Sequence, residues 1–379
     1  MLTQIGEQEH PNSRSPRRER RLWHDDSLRI GSLGCGQCPE RAICGGLEIK
    51  EPIFDCLDFC CRKPDDCDKV CRNHPEYAGH VREIAGFGMG NVPRSMSVPA
   101  FSMPRVVPML FHGSSRQLAL AADFVALPLA GMFNRRDGSP RHVSRDSLCA
   151  AYGVNPISSI ILSGTDVDAP LERWWGFGES KRRELIRTLL RIGVSFTTTP
   201  NYSLFIDVPR WDDLHAMKRI ALVHEEFQSE GLPAALHVNG RTDTDFRRWT
   251  EFLAARPEIM HLAYEFTTGT GWAGRQELHA TWLGDLAAGV GRPLTLVLRG
   301  GIEVAGRLAS SFAHVTVLDT TSFFKTMMRK RASLNGRLDW LPAPTNAGAP
   351  VDDLLAENLL TVQNWIGNAL DSAGVSVSH

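Results

Sequence analysis

The sequence predicts an α/β protein in which a (β/α)8 TIM-like barrel follows a small cysteine-rich metal-binding module. Short runs of aliphatic and β-branched residues recur along most of the chain, and segments with helical spacing separate the later ones. Near-continuous apolar strands that alternate with helices are typical of a parallel sheet covered on both faces, and eight of them can close into a barrel. An open, doubly wound sheet is the alternative arrangement. A dense group of cysteines near the start of the chain predicts the module.

A flexible basic arm is predicted over residues 1–30. It shows no sustained hydrophobic period, and its arginines lie among Ser and Pro: Arg14, Arg17, Arg18, Arg20 and Arg21. The whole chain has 42 Lys and Arg residues against 43 Asp and Glu residues, so its net charge does not attract nucleic acid. Any binding to a phosphate backbone therefore depends on local patches, of which this arm is one.

The sequence shows no sign of a membrane or secreted protein. No apolar stretch approaches the roughly 20 residues that a membrane-spanning helix needs, and the polar segment from Met1 to His10 does not resemble a signal peptide. We therefore expect a cytoplasmic protein without a membrane partner. The sequence indicates no particular oligomeric state.

The predicted cysteine module covers residues 31–85 and holds eight of the nine cysteines. In a reducing cytoplasm such density favours metal ligation over disulfides. The expected ligands are Cys35, Cys38, Cys44, Cys56, Cys60, Cys61, Cys67 and Cys71. His74 and His80, at the end of the module, could substitute for a cysteine ligand, but we interpret each of them as an ordinary surface histidine.

The spacing of these cysteines bears on the metal. Only Cys35 and Cys38 form the Cys-x2-Cys pair that structural zinc sites usually use. A cysteine followed by Pro or Gly, as at Cys38 and Cys44, is closer to the tight loops around a cluster. We therefore expect an iron–sulfur cluster, of the 4Fe–4S type, with zinc as the alternative. Cys149 stands apart in a predicted helix, 145–152, and is expected to be a core residue.

A connector rich in Gly, Pro, Ser and Met, residues 86–106, leads into the predicted barrel, residues 107–340. Its eight strands are predicted at 107–112, 124–129, 158–162, 194–199, 234–238, 259–266, 294–298 and 315–318. Helices are predicted at 180–191, 211–229, 243–255, 275–290 and 302–312. The last segment, 341–379, contains a further amphipathic stretch at 352–370 that we expect to pack as a closing helix.

Polar residues that follow the predicted strands indicate the reaction site, because the strands of a parallel barrel all open into loops at their carboxyl ends. Asp166, Glu265 and Asp319 come from three different strands and are the expected catalytic carboxylates. The expected substrate-binding residues are Asn134, Arg135, Asn201, Tyr202, Asn239 and Arg299, with Arg299 as the clamp for a phosphate or carboxylate. We discount Thr165 and Asp212 as helix-capping residues.

Two further segments combine features that suit a polyanion. The Trp174-Trp175-Gly176-Phe177-Gly178 segment predicts a turn whose exposed indoles stack on a base, beside a basic helix start. Alternatively, Trp174 and Trp175 cover the rim of the barrel. A second basic stretch follows the last strand and contains Lys325, Arg329, Lys330, Arg331 and Arg337.

The stretch from Trp174 to Asp319 resembles a family of phage- and plasmid-associated barrel proteins of unassigned function. The resemblance lies in the Trp-Trp-Gly-Phe-Gly segment, the segment Pro200 to Ser203, and the strand end Arg299-Gly300-Gly301. More distantly, the strand order and the polar strand ends are similar to tRNA-guanine transglycosylase-type barrels and their relatives that act on bases in DNA. That resemblance implies that Asp166 or Asp319 attacks or stabilises the sugar C1′ while the base departs.

These observations predict a nucleic-acid-processing enzyme that cleaves or exchanges an N-glycosidic bond, resembling a DNA glycosylase and acting in defence against phage. DNA is the favoured partner over RNA, and within a duplex the base would have to be flipped into the barrel mouth. One alternative is an iron–sulfur redox or radical enzyme, although the Cys-x3-Cys-x2-Cys loop of many radical enzymes is missing. The other is a nucleic-acid-binding protein without catalytic activity.

Overall fold

The computed structural model describes residue 80 and residues 82–98, 101–204, 210–267, 273–346 and 348–372. The predicted basic arm and all the predicted cysteine ligands lie outside these residues, so the expected cluster and its zinc alternative remain predictions. Two compact units divide the chain. One comprises Met1–Gly88, Ser203–Lys218 and Gly240–Asp245, and the other comprises Met89–Tyr202, Arg219–Asn239 and Phe246–His379.

The larger unit contains a parallel sheet of eight strands that closes almost completely into a barrel. The strands are β1 Val106–Pro108, β2 Phe124–Pro128, β3 Ser159–Ser163, β4 Val194–Thr198, β5 Ala234–His237, β6 His261–Glu265, β7 Thr295–Arg299 and β8 His314–Asp319. Their order is β1-β8-β7-β6-β5-β4-β3-β2. A single bridge between Met109 and Ala126 joins the two outer strands, and Leu110 N donates to Ala126 O over 2.9 Å. The predicted barrel is therefore confirmed and the open, doubly wound sheet is excluded.

Helices follow most of the strands, as the apolar periodicity predicts. They are α1 Arg145–Tyr152, α2 Asp168–Gly176, α3 Glu179–Arg191, α4 Arg210–Ser229, α5 Asp243–Ala254, α6 Ala273–Val290, α7 Ile302–Ser311, α8 Thr321–Met327 and α9 Asp352–Asp371. Local chemistry sets their ends: Ser144 and Ser147 cap α1 reciprocally, and Gly153, with a φ of 59°, ends it. Cys149 is buried in α1, and burial raises the pKa of its thiol, which fits the core role expected for it.

An antiparallel hairpin, β9 Lys330–Asn335 and β10 Arg337–Pro342, follows α8 and was not predicted. It contains most of the second basic stretch. Arg331 forms an ion pair with Glu357 over 2.9 Å, and Arg337 pairs with Asp339 over 3.1 Å. The buried Asn358 of α9 accepts from Ala332 N over 2.6 Å and donates to Lys330 O over 2.8 Å, which anchors the hairpin. At Arg331 and Arg337, the charge of this stretch therefore interacts with neighbouring side chains of the fold.

The inside of the barrel is filled by one apolar layer. Alternate residues of a strand point to the same face of a sheet, and here each strand contributes to a single buried cluster: Val107, Met109, Ala126, Ile161, Phe196, Ala235, Ala263, Val297 and Leu318. Phe101 closes the layer at the amino ends of the strands, where its ring stacks on Phe196 with centroids 5.0 Å apart. Intervening residues such as Val125 and Ile160 belong to a second cluster outside the sheet that includes residues of α1 and α3. The inner cluster shows, for each strand, which residues point into the barrel, and the residues that alternate with them point away from it.

Candidate active site at the barrel mouth

A polar layer lies directly above the apolar one, at the carboxyl ends of five neighbouring strands. Its members stand two residues beyond the inward apolar residues of β3 to β7: Ser163, Thr198, His237, Glu265 and Arg299. Because the side-chain period of a strand is two, these side chains share the inward face. The register confirms this for one pair, since Glu265 of β6 lies beside Arg299 of β7. This is the end of a parallel barrel at which active sites form.

His237 is the member of this layer that the sequence analysis missed. Its Nδ1 lies 2.5 Å from Thr199 O and its Nε2 lies 3.4 Å from Thr165 Oγ1. Because a carbonyl oxygen only accepts, Nδ1 carries the proton and Nε2 keeps a lone pair. Burial, together with the smaller effect of the positive charge of Arg299, lowers the pKa of His237 to about 4, although the hydrogen bond to Thr199 O opposes the shift. The imidazole is therefore neutral near pH 7.

Arg299 connects the other charged groups of the mouth. Its Nη1 donates to Thr165 O over 2.8 Å. Burial lowers the pKa of Arg299, while the negative charges of Glu265 and Asp166 oppose that shift. Two of the three predicted carboxylates thus lie near one guanidinium. They differ in environment: Glu265 is 7% exposed and accepts from Thr267 N over 2.9 Å, whereas Asp166 is exposed to solvent.

Several buried polar atoms at this end make no hydrogen bond within the described residues. They are Ser163 Oγ, Asn201 Oδ1 and Arg299 Nε. Buried polar groups are nearly always hydrogen-bonded in folded proteins, so these three atoms can bind the polar atoms of a substrate. Gly164 brings the ends of β3 and β4 together, because a Cβ at this position would lie 2.2 Å from Thr199 O. Asn201 N then donates to Gly164 O over 3.0 Å.

Asp319 does not join this group, contrary to the expected convergence of three carboxylates. It follows the inward Leu318 and therefore points to the other face of the sheet. Its Oδ1 accepts from Thr321 N over 2.9 Å and from Ser322 N over 3.1 Å, and its Oδ2 accepts from Ser322 Oγ. Burial raises the pKa of Asp319, and these hydrogen bonds oppose the rise. The carboxylate caps the start of α8.

Replacing Asp319 by Asn should lower stability and leave catalysis intact. The amide keeps one oxygen for the backbone donors of α8 but replaces the oxygen that accepts from Ser322 Oγ, so we expect a loss of about 1–2 kcal/mol. Thermal or denaturant unfolding measures the cost, and turnover per folded molecule should stay within a few-fold of the parent. Loss of turnover at unchanged stability would contradict this assignment and restore Asp319 as a catalytic carboxylate.

The two tryptophans that were predicted to stack on a base, Trp174 and Trp175, have structural roles in the fold. Trp174 and Trp175 belong to the C-terminal end of helix α2, and not to a loop between elements. Trp174 is 1% exposed and packs against Phe133 and Phe227, so its indole cannot stack on a base. Trp175 lies under the guanidinium groups of Arg182 and Arg219, at 4.4 and 5.6 Å from its ring centroid. This arrangement fits the alternative in which both residues cover the barrel rim.

Two predicted binding residues hold neighbouring loops together. Tyr202 is fully buried beneath the Arg219 guanidinium, 4.1 Å from its ring centroid, and burial raises the pKa of its hydroxyl. The Asn239 side chain donates to Tyr202 O over 3.0 Å, which joins the loops after β5 and β4. Both residues therefore shape the rim of the mouth.

A groove of about 590 Å³ lies on the loop after β2. It is lined by Phe133, Asn134, Arg135, Ser139, Pro140 and Arg141. The Asn134 side chain accepts from Arg136 N over 3.0 Å and so stabilises its own turn, while Arg135 is exposed. Arg173 donates to Arg135 O over 2.6 Å, which fixes the loop on α2. The groove presents positive charge on a rigid loop that follows a barrel strand.

Stability should fall in acid because His237 is buried in its neutral form. Its pKa is about 4 in the fold, against 6.5 for the unperturbed group. Between these values the unfolded chain binds more protons than the folded chain. The contribution of His237 to the free energy of unfolding is therefore fully present above about pH 6.5 and is lost as the pH falls toward 4. Denaturant unfolding at several pH values measures this slope. His237→Asn should make this slope shallower without abolishing it, because burial also lowers the pKa of His224 and of His261 to about 4. A slope in His237→Asn equal to that of the parent would contradict the prediction.

Comparison with known proteins finds no family model and no curated protein that matches this chain. The resemblance to phage-associated and transglycosylase-type barrels therefore stays a prediction. Among the described residues, no helix has the length and apolarity to span a bilayer.

Proposed function

We propose that this chain is an enzyme that cleaves or exchanges an N-glycosidic bond of a nucleotide in nucleic acid, at the carboxyl end of its barrel. The observation that carries the proposal is the inward polar layer of β3 to β7, in which Glu265, His237 and Arg299 share one face. A barrel interior that were only structural would continue the apolar layer to its end, because burying charge and polar groups is costly. The concentration of charged and polar side chains at one end of the barrel favours a catalytic role over a purely structural one.

The two carboxylates suit hydrolysis at a sugar carbon. In such a reaction water attacks C1′, the C1′–N bond breaks, and a water proton ends on the departing base. Asp166, the exposed carboxylate, stabilises the positive charge that develops on the sugar. Glu265, buried beside Arg299, accepts the proton of the attacking water and passes it to the leaving nitrogen. In an exchange reaction, an incoming base takes the place of water.

The remaining groups bind and orient. Arg299 offers its Nε to a phosphate oxygen, and the α7 helix begins three residues later, after Gly300 and Gly301 with φ values of 74° and 70°. A helix amino terminus next to a guanidinium attracts an anion. His237 Nε2, held neutral, can accept a hydrogen bond from a sugar hydroxyl or from Thr165. Arg135 and Arg141 on the β2 loop supply further positive charge for a phosphate backbone.

The test is an assay for released base. Purified protein is incubated with single-stranded and duplex DNA, with RNA, and with phage DNA that carries modified bases; free base is detected by mass spectrometry and abasic sites by alkaline cleavage. We expect release from at least one of these substrates. Salt-sensitive binding without release from any substrate would overturn the enzymatic proposal and favour a binding protein.

A further inference from the structure

Two histidines and two carboxylates meet in the smaller unit. His80 and Glu83 belong to one short segment, and Asp212 and His215 lie in the first turns of α4. Within each pair the residues are three apart, a spacing that puts both side chains on the same side of a helix. From the sequence alone, His80 was expected to be a surface histidine and Asp212 a helix-capping residue, because no local pattern connects the two segments.

The potential ligand atoms are close enough to share one ion. One ligand atom each from His80, Asp212 and His215 can be chosen so that all three lie within 4.8 Å of one another. The two imidazole rings stack with centroids 4.4 Å apart and planes 9° apart. His215 Nε2 lies 2.5 Å from Glu83 Oε1. Four side chains that bind metals readily are thus gathered from segments about 130 residues apart in the chain.

Glu83 contacts one ring nitrogen of His215, as carboxylates commonly do beside metal-bound histidines. A carboxylate that accepts from one ring nitrogen fixes the tautomer, so that the other nitrogen keeps its lone pair for an ion, and it makes that nitrogen more basic. Here His215 Nε2 donates to Glu83 Oε1, which leaves Nδ1 as the basic nitrogen.

The two segments are held in place independently of any ion. Lys218, one turn after His215, is fully buried, and its Nζ donates to Gly86 O over 2.5 Å and to Ala85 O over 3.4 Å. These carbonyls lie two and three residues after Glu83, so the contact ties the His80 segment to α4. On the other side, Arg241 and Asp213 form a buried ion pair with 3.6 Å between Nη1 and Oδ2. Ligands that rigid neighbours position lose little entropy on binding.

We propose that His80, Asp212 and His215 bind one divalent transition-metal ion, with Glu83 orienting His215. Two imidazoles and one carboxylate suit Zn²⁺, Fe²⁺ and their neighbours, whereas Ca²⁺ and Mg²⁺ favour all-oxygen sets. The proposed ligand set includes none of the predicted cysteine ligands. It joins two distant segments of the smaller unit, so an ion here stabilises that unit.

The experiment measures Zn²⁺ and Co²⁺ in the full-length protein, with every cysteine retained. The parent should hold one more Zn²⁺ per chain than His80→Ala, Asp212→Asn or His215→Ala. The matched control is His142→Ala, at a half-buried histidine of the larger unit that packs edge-on to Tyr152, and it should keep the parent content. Glu83→Gln should retain the site with about 10- to 100-fold weaker affinity.

Cobalt distinguishes this site from thiolate ligation. In the Co²⁺-loaded parent, loss of His215 should remove weak ligand-field bands and leave any thiolate-to-cobalt charge-transfer band unchanged. Added Zn²⁺ should raise the melting temperature of the chelator-treated parent by more than it raises that of the three ligand variants, which keep only the cysteines. If a variant does not fold, the other two and Glu83→Gln still decide the question. Equal metal content and equal Zn²⁺-induced stabilisation in the parent and the folded ligand variants would overturn the proposal, whatever the base-release assay shows.

Discussion

Replacing Glu265 by Gln should reduce the rate of base release by about 10²- to 10⁴-fold, the usual contribution of a positioned general acid or base. Glutamine keeps the shape of the side chain and keeps an oxygen that accepts from Thr267 N, so the turn after β6 should survive. What it removes is the proton acceptor and the negative charge beside Arg299. The assay is single-turnover release of base from the substrate found for the parent, together with thermal unfolding.

Glu258 provides a matched control for this variant. It precedes β6 by a few residues, at the opposite end of the same strand, and lies near Arg256 and Arg94. Glu258→Gln therefore makes the same chemical change at a comparably buried position without touching the mouth, and it should keep parental turnover. If Glu265→Gln retained full activity while folded, or if Glu258→Gln lost as much, the assignment of the mouth as the reaction site would fail.

Replacing Glu226 by Ala should cost about 3–5 kcal/mol of stability, because it leaves a buried guanidinium without its counter-charge. Arg182 Nε and Nη2 bond to the two Glu226 oxygens over 2.7 and 2.6 Å, and each side chain is 4% exposed. The pair joins α3 to α4. Arg182 also donates to Trp175 O over 2.7 Å, so its displacement would loosen the rim of the barrel. Denaturant unfolding measures the loss.

The comparison that isolates burial is Glu184→Ala on α3, the helix that contains Arg182. Glu184 pairs with Lys181 over 2.9 Å, but its side chain is 58% exposed, and such surface pairs contribute at most about 1 kcal/mol. A double variant, Arg182→Met with Glu226→Met, should be more stable than Glu226→Ala, since it removes both charges and keeps apolar volume. A small effect of Glu226→Ala, similar to that of Glu184→Ala, would show that solvent reaches Arg182 more easily than its burial indicates.

The barrel could be predicted from the sequence because its elements depend on local periodicity. Apolar runs bounded by Gly, Pro and polar residues gave the strands within a few residues, from β2 at Phe124–Pro128 to β8 at His314–Asp319, and helical spacing gave α9. The hairpin β9–β10 was not predicted because its sequence is largely polar. Its position depends on Asn358 of α9, which bonds to Ala332 and Lys330 from 26 and 28 residues further along the chain.

The candidate site was predictable in part. Glu265 and Arg299 stand at the ends of apolar strands, and a charged residue at such a position indicates a site residue. His237 was overlooked although it stands two residues after the inward Ala235, so counting the strand period from the core would have found it. The same count would have placed Asp319 on the outward face. Trp174 looked exposed beside its glycines, yet the helix that contains it turns the indole into the core.

The sequence alone was enough to predict the order and approximate position of the eight barrel strands and of the longer helices, and the kinds of polar residue available at the strand ends. Those properties follow from backbone geometry and from side-chain periods of about two and 3.6 residues, which act over a few positions. The folded chain was needed to show which face of each strand points inward, that Asp166 and Glu265 lie near Arg299 while Asp319 caps a helix, and that His80 meets His215. These outcomes depend on closure of the sheet and on packing between segments that are distant along the chain, and no local pattern encodes such contacts.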